Sequence, residues 1–157
     1  MVHALRECQT ALHEKKGCHK GFLSGYGEEQ FDRLEQLVRY PEIWAPYYTL
    51  HKILAGLLDC YEFAGCDEAL TIAGDLGDWV YERLSKVPHA QLNRMWSLYI
   101  AGEFGGMNDA MARLYIHTAK PEHLEAAKLF NNDRLFYPMA KNVDALDGLH
   151  ANQHIPQ

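Results

Sequence analysis

The sequence predicts an all-α fold of repeated helical hairpins, and three observations carry that prediction. Apolar residues recur at helical spacing through most of the chain, most clearly as Leu50, Ile53, Leu54, Leu57, Leu58 and Tyr61. Residues 58–76 (LDCYEFAGCDEALTIAGDL) align without a gap on residues 112–130 (ARLYIHTAKPEHLEAAKLF), so that Tyr61 matches Tyr115, Glu68 matches Glu122, Leu70 matches Leu124 and Ala73 matches Ala127. No segment shows the strict alternation of a half-buried strand. A repeat of about fifty residues made of helix, tight turn and helix belongs to a helical array or an α/α toroid.

Taken in order, residues 1–15 read as a helix with Leu5, Cys8 and Leu12 on one stripe, closed by Gly17 as C-cap. Residues 21–26 (GFLSGY) form a loop, and residues 31–37 give one or two helical turns ended by Tyr40-Pro41. The next helix starts at Pro46, where a missing N–H costs little, and runs to about Phe63 before Ala64-Gly65. Tyr47, His51, Ala55 and Leu58 make a second stripe on it, so this helix is expected to lie buried between neighbours. Asp67 is the expected N-cap of a helix carrying Leu70, Ala73, Gly77, Val80 and Leu84, bounded by Pro88. Met95, Trp96 and Tyr99 fit a short helix, and the three glycines of residues 102–106 impose a loop. Helices then cover residues 107–118 and a segment from Pro121 through Phe130; beyond Asn131-Asn132 the pattern weakens.

Composition bounds the function. The 157 residues amount to one domain or less, and 48% hydrophobic with 23% charged residues is ordinary for a globular protein. No apolar run has the length of a membrane span, and residues 1–16 lack the apolar core of a signal peptide. The compartment is left open. Net charge is −6 with scattered Lys and Arg, which argues against nucleic acid as a partner. Cys8, Cys18, Cys60 and Cys66 have neither CxxC pairing nor zinc-ribbon spacing, and buried free thiols are expected.

Candidate chemistry gathers in three loops, residues 44–48, 103–108 and 150–154, which fall at corresponding helix ends in the repeat register. Their side chains are aromatic or neutral polar, a mixture suited to a polyhydroxylated ligand. His51 reads either as a hydrogen-bonded core histidine or as a ligand contact, and Glu103 either as a capping or salt-bridging acid or as a site acid. His150 and His154 have the i, i+4 spacing of a metal pair, but Pro156 disfavours a sturdy helix there, and no metal site is expected. No Ser/His/Asp signature, phosphate loop or dinucleotide fingerprint occurs, and no catalytic residue is nominated.

The segments WAPYYTLHK (residues 44–52), EFGGMN (103–108) and LDGLHANQHIP (146–156) resemble, in order and spacing, three signatures of the β-L-arabinofuranosidases, glycoside hydrolase family 127 and its close relatives. The resemblance covers nearly the whole chain. It implies part of an (α/α)6 barrel acting on arabinose-containing glycans, with retaining hydrolysis by a zinc-bound cysteine thiolate and a glutamate acid/base. In the family pattern those cysteines and that glutamate lie beyond the segment resembling HANxHIP, and the four cysteines here do not match the paired-cysteine motif. The resemblance therefore carries over only substrate-side positions: His51, Asn108 and His150, then Trp44, Tyr47 and Glu103. Zinc is expected of the complete family domain and not of this chain.

On this reading residues 1–157 are an incomplete α/α-barrel catalytic domain, the N-terminal part of a glycoside hydrolase and inactive alone. Apolar hairpin faces left without neighbours predict self-association. A non-catalytic sugar-binding or scaffold protein of helical hairpins is the alternative from another class, and a sugar epimerase-type barrel a third. Titration with L-arabinose separates binding from its absence.

Overall fold

The computed structural model describes all of residues 1–157 and contains nine α-helices and no strand: α1 (Val2–Lys16), α2 (Glu29–Glu35), α3 (Pro46–Ala64), α4 (Asp67–Leu84), α5 (His89–Trp96), α6 (Met107–Thr118), α7 (Pro121–Leu129), α8 (Asp133–Ala140) and α9 (Ala151–His154). Two hairpins, α3–α4 and α6–α7, pack side by side, with α3 along α6 and α4 along α7. α1 lies on α4, while α2 bridges α3 and α5. This is the hairpin architecture of an α/α barrel segment.

The repeat seen in the sequence is repeated in the backbone. The first hairpin turns at Gly65 with φ of 65°, and the second at the equivalent Ala119 with φ of 52°. In each, the left-handed residue donates its N–H to a tyrosine carbonyl, Gly65 to Tyr61 at 3.0 Å and Ala119 to Tyr115 at 2.8 Å. Asp59 and Arg113, also equivalent positions, pair across α3 and α6 at 2.8 Å.

One apolar core runs through both hairpins. Its centre is aromatic: Trp96 stacks on Phe130 at 5.1 Å and meets Tyr47 and Phe104 edge-on at 5.4 and 5.2 Å. All four are fully buried, each contributing roughly 2–3 kcal/mol by transfer from water. Trp96 Nε1–H donates to the Leu129 carbonyl at 2.9 Å, which satisfies the only polar atom of its side chain.

Several expectations change. Cys8 is exposed and Cys18, Cys60 and Cys66 are half-buried; the buried position of α1 belongs to Gln9, which donates to the carbonyls of Gly21 and Ile72. α1 therefore meets α4 through a polar seam rather than a simple apolar stripe, with Arg6 bridging Gln9 and Asp75 at 2.8 and 2.7 Å. The N-cap of α4 is Cys66, and Asp67 is the first helical residue, where its charge still favours the helix N-terminus. α3 is buried on its inner stripes, but Lys52, Gly56, Asp59 and Phe63 form an exposed one. α8 was hidden by its shortness and by Pro138 inside it. No helix is long and apolar enough to cross a membrane.

Candidate functional site

The loop joining α5 to α6 is folded back so tightly that a side chain at Gly102 would put its Cβ 2.0 Å from the Met95 carbonyl oxygen. Only glycine permits that approach. The fold-back sets Glu103, its side chain 12% exposed, beside His150, with 3.1 Å between Glu103 Oε1 and His150 Nδ1. The carboxylate can only accept, so Nδ1 carries the proton of this contact. The exposed Tyr99 ring meets the His150 ring edge-on at 5.2 Å. A turn of chain further on, His154 Nδ1–H donates to the His150 carbonyl at 2.9 Å.

His150 and His154 stand between two cavities. One, of about 510 Å³, is polar and bounded by Tyr99, Asn132, Arg134, Asp147 and Gln153 as well as the two histidines. The other, of about 550 Å³, is apolar, with Phe136, Met139, Leu146, Leu149 and Ile155 in its wall. Neither is sealed by core packing, because residues 141–148 are exposed throughout.

A second group of predicted residues gathers at the N-terminus of α6. The Gly106 N–H donates to His51 Nδ1 at 3.3 Å, and a Cβ on Gly105 would lie 2.6 Å from that same nitrogen. The glycine pair is thus what lets the imidazole seat against the loop. Burial, with Lys52 nearby adding to it, lowers the His51 pKa, so the ring is neutral at pH 7 with its proton on Nε2. Asn108 Nδ2 donates to the Gln157 carbonyl at 2.9 Å, and Asn132 Nδ2 to Gln157 Oε1 at 3.1 Å. The far end of the chain is tied down by amides.

Two predicted residues stand apart. Tyr47 is fully buried in the aromatic centre, edge-on to Phe31, Trp96 and Phe130, and burial pushes its phenol far above the usual range. Its hydroxyl finds no partner, and the ring borders neither cavity. Trp44 is half-exposed and packs edge-on against Tyr40 at 5.2 Å. So Glu103 and His150 meet, His51 and Asn108 flank one glycine loop, and Trp44 and Tyr47 join neither group.

The model of the β-L-arabinofuranosidase GH127 catalytic domain matches residues 1–157. The chain belongs to that family. No curated protein matches the sequence. The GH127 catalytic domain is a hydrolase domain of carbohydrate metabolism, and the helical hairpins found here fit its (α/α)6 barrel.

The zinc associated with this GH127 resemblance finds no matching donor set among these residues. No three His, Cys, Asp or Glu side chains are placed so that they could hold a metal ion together, and Glu103 with His150 supplies two donors already committed to each other. Tyr99, Asn132 and Arg134 carry no site signal in the sequence. Gln153 sits inside the recognised HANQHIP stretch, so the motif held the signal, but nothing in spacing marks which of its amides is turned inward.

Proposed function

We propose that this GH127 chain forms part of the wall of a pocket for an arabinose-containing glycan, with His150 as the central contact and Glu103 fixing its tautomer and direction. His51 and Asn108, set by the Gly105-Gly106 loop, make the adjoining wall. The observation that carries this reading is the Glu103–His150 pair at 3.1 Å over a polar cavity of about 510 Å³. A sugar ring matches such a wall, which offers one aromatic face, Tyr99, and several oriented neutral groups. No residue of the chain is assigned as nucleophile or acid/base, and zinc is not assigned to it.

Calorimetric titration with methyl β-L-arabinofuranoside tests the reading. Saturable binding, weakened about tenfold by His150→Ala, is the expected result. Heat of dilution alone overturns it. Exposed Met139, Leu146 and Ile155 line the apolar cavity and support self-association through that face. Sedimentation that gives a single monomer at every concentration refutes the association.

A further inference from the structure

Gln153 combines three properties that seldom coincide. It is 1% exposed. Its Nε2 donates to two backbone carbonyls, Trp96 at 3.1 Å and Leu98 at 2.9 Å, which uses both amide hydrogens and fixes which end of the amide is oxygen. Its Oε1 then has no donor within the protein, while the residue forms part of the wall of the polar cavity below His150. Oε1 is not one of the fully buried partnerless atoms, so its lone pairs are reached from the cavity, where a ligand or water supplies the donor.

Asn132, on the same wall, keeps its oxygen out of reach. Asn132 is the N-cap of α8, a position where asparagine normally accepts a backbone N–H. Here it makes no capping bond: its Nδ2 goes to Gln157, and its Oδ1 is buried without a partner. His154 spends its Nδ1–H on the His150 carbonyl. Gln153 Oε1 is thus the acceptor this pair of amides leaves open to the cavity, while Asn132 Oδ1 is closed off. The complementary ligand brings hydroxyl hydrogens.

We propose that Gln153 is a specificity-determining residue whose Oε1 accepts a hydrogen bond from one hydroxyl of the bound sugar. The proposal rests on the cavity being the sugar site, as argued above. Gln153 contacts substrate without taking part in bond breaking. Its orientation is set by the end of α5, the helix that also carries Trp96, so the hydroxyl reader is anchored to the aromatic core rather than to the exposed loop of residues 141–148.

The test uses the intact chain with its glutamine side-chain amides labelled by ¹⁵N, titrated with methyl β-L-arabinofuranoside and its 2-, 3- and 5-deoxy analogues. The expected result is saturable binding that shifts the Gln153 amide resonance, with one deoxy analogue binding about tenfold more weakly and leaving that resonance in place. In Gln153→Met, which keeps the length and removes the acceptor, that analogue and the parent sugar should bind equally. Saturable binding that leaves the Gln153 resonance unmoved overturns the proposal and spares the sugar site. Absence of binding by every ligand overturns both. Should Gln153→Met fail to fold, the resonance of the unmodified chain still decides.

Discussion

The paired hairpins and the segment after Asn131 are held by different forces. In α3–α4 and α6–α7, burial does the holding: whole stripes of Leu, Ala and Ile are out of reach of water. After Asn131, only Asn132, Leu135 and Gln153 are buried, and Tyr137, Met139, Val143, Leu146 and Ile155 face solvent. That segment is fastened by side-chain hydrogen bonds instead, Gln153 donating to the Trp96 and Leu98 carbonyls and Asn108 and Asn132 donating to Gln157. Yet both cavities beside His150 are built on it. The lesson is a division of labour: apolar packing fixes the scaffold, and a few oriented polar bonds hang the candidate site on its edge.

The largest way to break the contrast is Trp96→Ala. Trp96 serves both regions, since its ring fills the core and its carbonyl accepts from Gln153. Truncation should cost about 3–5 kcal/mol, read by urea unfolding, and loosen α9 along with the hairpins. Loss confined to one region would mean that the two are not joined there.

Gly102→Ala sharpens the contrast. The new Cβ collides with backbone, so the loop must move, at about 1–3 kcal/mol. Hydrogen exchange should rise in α9 and around Glu103 while the amides of α3 and α4 keep their protection. Uniform loss of protection would erase the distinction.

Ala119→Gly acts inside the hairpins alone. Alanine at φ of 52° is strained, and glycine should stabilise the chain by about 0.5–1 kcal/mol, raising the urea midpoint without touching sugar binding.

The gentlest effect is a slope with pH. His123 is fully buried between Thr118 and Asp78, and burial depresses its pKa below the ordinary 6.5 despite the carboxylate. His51 is depressed as well, by its own burial. As pH falls below 6.5 the unfolded chain takes up protons that the native rings refuse, so stability is full above that pH and declines beneath it until the native rings titrate. Urea midpoints at neutral and mildly acidic pH should show the decline, and His123→Asn should flatten it. An unchanged midpoint across that range would remove His123 and His51 from the account.

Much of the scaffold was legible because helical periodicity is a local property. The stripes of Leu50, Leu54, Leu57 and Leu58, the Gly17 and Gly65 caps, and the repeated hairpin all survive in the structure. The site was legible in pieces. Glu103 meets His150 and His51 meets Gly106, pairings that no spacing along the chain foretells, whereas Tyr47 goes to the core. An aromatic at a helix start looks the same from sequence whether its ring turns to a cavity or inward. Likewise Gln9 and Gln153 are polar letters whose burial depends on carbonyls supplied from distant segments.

The sequence by itself determined the helices, their pairing into like hairpins and the family, since each depends on neighbours within a few turns or on matched order along the chain. The tertiary structure alone decided which polar atoms lack a partner. Satisfaction of a buried donor or acceptor is a balance over every group within about 3 Å, and that set is assembled only when remote segments pack.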